Sequence, residues 1–231
     1  MKLPGHQATA TKGRNLKKEF NEAFAFIRAT RSISSSMMYV GTMSLLVLPF
    51  TTLTPVFAKD IFHGNASTLG MIDGFIGLGA FMGAIFLASL KRDTVLTRVL
   101  SVNTFIFGIG LVLFSYTQIY LLELGFAIIC AFGMMSVFTI SNTLIQLNVK
   151  QELRGRVLSV FVMMFAGMMP LGSLLVGGIS HYAGVQATVL GEGIIALVIG
   201  VVYARLLRPT GLRKEEAPLL ENQPREELME A

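Results

Sequence analysis

The sequence predicts an all-α integral membrane protein with six transmembrane helices, preceded by an amphipathic helix. Three observations predict this fold class. The 231 residues are 53% apolar and only 14% charged, with a mean hydropathy of +0.64, whereas a typical soluble domain carries about 25% charged residues. Apolar runs of the ~20 residues needed to cross a bilayer recur six times. Nearly all basic residues fall on one side of these runs.

The N-terminal segment, residues 1–35, is polar and basic at first and then becomes periodic. Apolar residues recur at helical spacing on one face, at Leu16, Phe20, Ala23, Phe24 and Ile27. The pattern predicts an amphipathic linker helix. Such a helix lies either on an anionic membrane surface or against another protein segment.

The predicted membrane domain covers residues 36–207. Its six spans extend over about 36–58, 67–90, 97–116, 119–147, 156–180 and 186–206. The first span contains Pro49 and Pro55, and the fifth contains Pro170. Proline is tolerated in a membrane helix where neighbouring groups satisfy the carbonyls that it leaves unpaired. Residues 208–231 are rich in Glu without a sustained apolar face, which predicts a disordered cytoplasmic tail.

The distribution of basic residues predicts the orientation. Because the number of spans is even, both termini lie on one side, and all but one of the 19 Lys and Arg residues lie there too. The exception is Lys59. Short cytoplasmic loops are enriched in Lys and Arg, so we expect a protein of the cell (inner) membrane with both termini in the cytoplasm. The same distribution explains the net charge of +5 without a nucleic-acid partner.

Glycines in the second and fifth spans suit close helix packing, and those of the second span form two pairs at four-residue spacing, Gly70/Gly74 and Gly79/Gly83. Glycines four residues apart share a helix face and let a neighbouring helix approach its backbone. The residues assigned this role are Gly70, Gly74, Gly79, Gly83, Gly172 and Gly177.

Three acidic residues, Asp73, Glu123 and Glu192, lie inside the predicted spans. A carboxylate within a bilayer is costly and is therefore a functional hypothesis. No Lys or Arg lies at a matching depth, which leaves two interpretations for each acid. It handles substrate or protons, with Asp73 as the first candidate, or it is a hydrogen-bonded acid that faces another helix.

Two clusters of polar side chains lie where the fourth span ends and the fifth begins. Asn142 and Gln146 share a face, where they line a pathway or bond across helices. Glu152, Arg154 and Arg156 belong to a charged turn, residues 150–156. They are candidates for a cytoplasmic gate that pairs in one conformation and breaks in another, and the alternative is a simple positive-inside anchor.

Catalytic and metal-binding patterns are missing from the sequence. The three histidines lie far apart, and the single cysteine, Cys130, lies in an apolar run. There is no phosphate-binding loop, no nucleophile elbow and no zinc-protease motif. We therefore expect no enzyme activity, no cofactor and no metal site.

With the spans and the charged turn in place, the sequence resembles the major facilitator superfamily, in its enterobactin-exporter-like and macrolide-efflux-like branch. The resemblance covers about residues 15–207 and implies the C-terminal six-helix half of the fold. It also implies secondary efflux of amphipathic, drug-like or siderophore-like compounds. It is carried by Leu53–Lys59, Gly70–Gly83, Asn142–Gln146, Glu152–Val157 and Pro170–Gly178.

In that superfamily the substrate binds between two six-helix halves, and spans one, two, four and five line the cavity. The resemblance thus implies three partners: the lipid bilayer, a small-molecule substrate, and a second six-helix half or a second copy of the chain. The alternative function is that of a truncated or non-transporting membrane scaffold.

Overall fold

The computed structural model describes residues 16–91, 94–149 and 151–206, with the side chains of residues 16–20, 32 and 152 excepted. Within these ranges the chain is helical and contains no β-strand. The tail predicted over 208–231 and the polar segment 1–14 lie outside the described residues.

The described ranges contain eight α-helices. They are α1 Leu16–Ala29, α2 Arg31–Leu46, α3 Thr54–Val56, α4 Ala66–Ala88, α5 Leu96–Tyr116, α6 Tyr120–Asn148, α7 Gln151–Ala183 and α8 Val185–Leu206. A 3₁₀ helix, Leu48–Leu53, precedes α3, and a π-helix, Phe57–Ile61, follows it.

Six stretches of the described chain are long and apolar enough to cross a membrane, which confirms the six-span, all-α fold class. The first is composite and runs over Ile33–Ile61, and the fifth lies in α7 as Leu153–Ala183. The other four coincide with α4, α5, α6 and α8. The protein is thus a multi-pass membrane protein with the helix content of one half of a major-facilitator fold.

The first span is a broken helix. α2 ends at Leu46, where Pro49 lacks an N–H and disfavours α-helical backbone at the residue before it. The chain continues as a 3₁₀ helix, a short α segment around Pro55 and a π-helix. Leu48, Phe50 and Leu53 are buried, so protein and not lipid surrounds most of the irregular backbone.

Close backbone contacts at glycines fix how the spans pack. A β-carbon on Gly79 or Gly83 would clash with the backbone of Ile128 or Phe132, so α4 lies parallel to α6. Gly172 holds α7 in the same way against the backbone of Leu45 in α2. α5 lies between α6 and α8, against which it packs at further glycine contacts.

Aromatic rings fill the core between the first span and its neighbours. Phe114 packs edge-on against Phe50 and Phe57, with ring centroids 6.3 and 5.0 Å apart. Nearer the other end, Tyr39 hydrogen-bonds Thr104 at 2.5 Å and packs against the ring of Tyr203. The first span is therefore the central element of the bundle, in contact with α5 and α8.

Two spans remain largely uncovered. Only 17% of the most apolar window of α4 and 22% of that of α7 is buried, against 39% to 61% in the other four spans. α4 and α7 are therefore the two spans with the most exposed membrane surface.

Candidate functional site

The uncovered surface of α4 has two unlike sides. Large apolar residues occupy one side, where Met71, Leu78, Met82 and Ile85 are each about half exposed. At ~100° per residue a second side, ~130° away, carries mostly small or polar residues, with Phe81, 62% exposed, at its edge. These residues, the small side of α4, are Gly70, Asp73, Gly77, Ala80 and Ala84. The large side suits lipid, whereas the small side suits close contact with protein or water.

The small side of α4 faces the region of α7. α4 and α6 are parallel, so their side chains rotate in the same sense along the axis. On α6, Phe138 packs on Phe165 of α7 at 4.6 Å between ring centroids, and it lies ~100° from the residues that contact α4. Around the axis of α4, Asp73 lies ~100° from the residues that contact α6, in the rotational sense opposite to that of Phe138 around α6. Phe138 and Asp73 therefore lie on the same side of the α4–α6 pair.

Asn142 and Gln146 lie on the same side of α6, at its C-terminal end. Gln146 Nε2 donates to Asn142 Oδ1 at 3.1 Å, and both side chains are half-buried. By helical rotation they fall between Phe132, which meets α4, and Phe138, which meets α7. This hydrogen bond runs along α6 and not across to another helix.

A matching stripe of small and polar residues runs along the exposed surface of α7. Its members recur every three or four residues and share one face. The small side of α7 comprises Ser159, Ala166, Pro170, Ser173 and Gly177. One large apolar residue, Val162, lies on the same face and is 55% exposed. Ser173 Oγ hydrogen-bonds Thr52 Oγ1 of the 3₁₀ helix at 2.9 Å. The hydroxyl pair thus joins α7 to the break in the first span.

The three membrane acids occupy two different environments. Asp73 is exposed on the small side of α4, whereas Glu123 and Glu192 are 0% and 3% exposed. None of the described residues hydrogen-bonds to either oxygen of the two buried carboxyls. Glu192 shares a face of α8 with Tyr203, which contacts α2, so it is directed to the first span. Of the three acids, only Asp73 is exposed on the surface of the described chain.

The packing glycines fall into two groups. Gly79, Gly83 and Gly172 contact a neighbouring backbone within the bundle. In contrast, a β-carbon added to Gly70, Gly74 or Gly177 meets no described atom within 4 Å. Gly70 and Gly177 belong to the small sides, and Gly74 lies between the small and large sides of α4. The described part of the chain thus supplies no close neighbour for these three glycines.

At the other end of the bundle, the charged turn contacts the amphipathic helix. Arg156 Nη1 donates to Oε2 of Glu22 on α1 at 2.8 Å. Arg154 is exposed, and the side chain of Glu152 lies outside the described set. The sequence analysis did not identify Glu22 as the partner, because the two residues are 134 positions apart in sequence.

α1 packs against the bundle through its apolar face. Ala23 is 1% and Ile27 7% exposed, and the helix lies against α2 and α7. Phe24 is 39% exposed, with the Arg28 guanidinium carbon 5.9 Å from its ring centroid. The apolar face of α1 is therefore in contact with α2 and α7 of the same chain.

Residues 6–230 match the family described as "Transmembrane secretion effector". The chain belongs to this family, in the efflux-like branch of the major facilitator superfamily. The resemblance that its motifs suggested is thereby confirmed, and the secretion effector family is one of transporters and not of enzymes.

Three curated relatives support the same assignment. The chain is 29% identical to the staphyloferrin A transporter of Staphylococcus aureus, over 75% of its own length and 44% of the relative's. It is 25% identical to macrolide efflux protein A of Streptococcus pyogenes, over 81% and 47%. It is 29% identical to the multidrug efflux pump Tap of Mycolicibacterium fortuitum, over 68% and 38%.

The chain thus spans less than half the length of these relatives. No solved structure matches it with comparable significance.

Proposed function

We propose that this chain is one six-helix half of a secondary active exporter of small amphipathic molecules, and that a second six-helix unit completes its transport pathway. The observation that carries the proposal is the small side of α4. It presents the carboxyl of Asp73 and open glycines from a membrane span. Lipid is a poor neighbour for such a face, whereas a second helix bundle or a substrate pathway suits it.

The contrast between spans supports this assignment of surfaces. The exposed side chains within the membrane portions of α5 and α8 are large and apolar, as in Ile109, Leu113, Ile194 and Val198. Polar groups on the open surface come from the first, second, fourth and fifth spans. They include Thr52, Asp73, Asn142, Gln146 and Ser173. We therefore assign the pathway to these four spans and the lipid contact to α5 and α8.

Asp73 is our candidate for coupling or substrate contact. Its exposed position lets it exchange a proton with water in the pathway, or bind a cationic group of the substrate. Glu123 and Glu192 are better suited to a structural role, because both are enclosed by protein. The substrate class rests on the printed names of the relatives, which cite staphyloferrin A, macrolides and multidrug efflux.

We further propose that the Arg156–Glu22 pair is a cytoplasmic gate contact. It joins α1 to the start of α7, and an exposed ion pair of this kind is weak enough to break during a transport cycle. This role requires both termini to face the cytoplasm, which the positions of the basic residues support.

The alternative is a membrane scaffold that transports nothing. The observation in its favour is that the chain spans less than half the length of the relatives that are named as transporters or pumps. Efflux from cells that lack their own exporters separates the two. Cells producing the chain should retain less of an amphipathic fluorescent dye than cells carrying an empty vector. Asp73→Asn should restore retention, whereas Leu78→Ala on the lipid side of α4 should not. Retention equal to the vector control, with the protein present in the membrane, would favour the scaffold.

A further inference from the structure

We propose that Glu192 of α8 is a positioning residue for the broken first span, and that its carboxyl, as the neutral acid, donates a hydrogen bond to a main-chain carbonyl of the 3₁₀ helix Leu48–Leu53. The inference deepens the proposed function, because this 3₁₀ helix carries Thr52, which we assign to the pathway. The hydrogen bond itself concerns how the first span is held and can be tested without transport.

The carboxyl of Glu192 is enclosed by protein and lacks a hydrogen-bond partner. The residue is 3% exposed, and neither carboxyl oxygen is bonded within the described part of the chain. The Lys and Arg residues of the described spans lie near the span ends, so a carboxylate at this depth has no counter-charge. An enclosed, unpaired carboxylate is far more costly than the neutral acid, whose O–H group in turn requires an acceptor.

Two independent contacts with α5 place Glu192 at the depth of the 3₁₀ helix. Gly193, the next residue of α8, packs on α5 close to position 110. The ring of Phe50 in the 3₁₀ helix lies between Phe107 and Phe114 of α5, with ring centroids 5.8 and 6.3 Å apart. Glu192 and Phe50 are therefore level with the same part of α5.

The face of α8 on which Glu192 lies is the face that meets the first span. Glu192 and Tyr203 are eleven residues apart, which is ~20° of rotation around the helix. Tyr203 packs edge-on against Tyr39 of α2, with 5.0 Å between ring centroids. Nearer the middle of the bundle, α8 also contacts the 3₁₀ helix. Glu192 is thus directed to the first span at the level of its break.

The 3₁₀ helix has more hydrogen-bond acceptors than donors. Pro49 has no N–H, so the segment has one main-chain donor fewer than it has carbonyls. Threonine hydroxyls already donate to its carbonyls, from Thr51 Oγ1 to Leu48 O at 3.4 Å and from Thr54 Oγ1 to Thr51 O at 2.8 Å. A carbonyl oxygen has two lone pairs and can accept a second bond. The acid of Glu192 supplies one more O–H donor, from a different helix.

This bond completes the attachment of the 3₁₀ helix to its surroundings. On the open surface, Thr52 Oγ1 and Ser173 Oγ of α7 are hydrogen-bonded at 2.9 Å. On the core side, the proposed bond joins the same segment to α8. The segment that presents Thr52 is then held from both sides, and loss of the inner bond should loosen it.

Hydrogen exchange of the full chain in detergent micelles tests the bond by comparing Glu192→Met with Glu192→Gln. Glutamine keeps the shape of the side chain and has N–H donors, whereas methionine has a similar length and no donor. We expect exchange in the Leu48–Leu53 segment to be about five-fold faster in Glu192→Met and nearly unchanged in Glu192→Gln. Exchange in α5 serves as the reference for global stability.

Glu123→Met is the matched control. Glu123 is also buried and has no described partner. It lies seven residues from Cys130, which packs on Gly110 of α5, and hence ~10 Å from the level of the break. Glu123→Met should leave exchange in the Leu48–Leu53 segment unchanged. Equal acceleration by Glu192→Met and Glu123→Met, equal acceleration by Glu192→Met and Glu192→Gln, or none by Glu192→Met, would overturn the proposal.

Infrared spectroscopy tests the protonation form of the parent chain. The difference spectrum between the parent and Glu192→Gln should contain the C=O band of a hydrogen-bonded carboxylic acid and no carboxylate bands. Carboxylate bands in its place would remove the donor on which the proposal depends.

The outcome is distinguishable from a failure of the proposed function. Faster exchange in Glu192→Met, in a chain that exports no dye, would leave the positioning role standing and remove the transport assignment. Dye efflux by the parent chain, with unchanged exchange in Glu192→Met, would retain transport and remove the role of Glu192.

Discussion

Arg156 at the start of α7 donates a hydrogen bond to Glu22 of α1 at 2.8 Å, across 134 residues of sequence. The side chains are 31% and 46% exposed, so water screens the pair. An exposed pair of this kind contributes only ~0.2–1 kcal/mol. Its importance therefore lies in which two elements it joins, the amphipathic helix and the fifth span.

We predict that Glu22→Gln loosens α1 without unfolding the bundle. Removal of the charge leaves the buried contacts of Ala23 and Ile27, so the loss should be at most about 1 kcal/mol. Amide hydrogen exchange in α1 should accelerate by up to about five-fold, with exchange in α5 unchanged. The charge-reversed double variant Glu22→Arg, Arg156→Glu should restore part of the protection.

Arg154→Gln provides the control, because it removes a positive charge from the same turn at an exposed position. We expect it to leave exchange in α1 unchanged. If Arg154→Gln accelerates exchange as much as Glu22→Gln, the charged turn acts as a general positive-inside anchor and the specific gate contact is wrong.

The number of spans and the fold class follow from apolar runs, because the bilayer requires ~20 apolar residues from each membrane helix whatever its neighbours are. Contacts between residues that are distant in sequence cannot be predicted from apolar runs in this way. Glu22 and Arg156 are brought together by the packing of α1 on α7, which no local pattern encodes. The prolines predict a break in the first span, but its 3₁₀ and π geometry depends on the surrounding core.

The glycines of α4 show the same limit. Gly74 and Gly79 are five residues apart and therefore ~140° apart around the helix. Both faces carry small residues at favourable spacing, so the sequence does not decide which face meets α6. The structure shows that Gly79 and Gly83 meet α6, whereas Gly70 and Gly74 have no neighbour within the described chain.

This difference between glycines predicts opposite effects of alanine on stability. Gly79→Ala should destabilise the chain by about 1–3 kcal/mol, because the new methyl group clashes with the backbone of Ile128. Gly70→Ala should be neutral or stabilising by up to about 1 kcal/mol, since alanine favours helix and meets no atom there. Unfolding in detergent micelles, followed by circular dichroism, measures both in the dispersed chain.

Equal destabilisation by the two alanines would show that the α4–α6 contact is not as close as described. Gly74→Ala is a second test position with an open surrounding, and we expect it to behave like Gly70→Ala.

The different settings of the membrane acids predict different effects on efflux. Asp73→Asn should lower dye efflux at least ten-fold, because it removes the only one of the three carboxyls that lies on the open surface. Glu192→Gln should retain most of the efflux, since the amide has nearly the same shape and the carboxyl is enclosed by protein. Initial efflux rates at matched protein levels in the membrane give the comparison. A larger loss in Glu192→Gln than in Asp73→Asn would move the coupling role into the core.

The hydroxyl pair between the broken first span and α7 gives the last prediction. Thr52→Val keeps the shape of the side chain but removes the bond to Ser173, which should cost about 0.5–1.5 kcal/mol. Because the bond joins the 3₁₀ helix to α7, hydrogen exchange in the Leu48–Leu53 segment should accelerate more than in α5. Thr117→Val is the control, since its hydroxyl bonds only to Leu113 O in its own helix. If exchange around Leu48–Leu53 stays unchanged in Thr52→Val, the buried side chains alone hold the break in place.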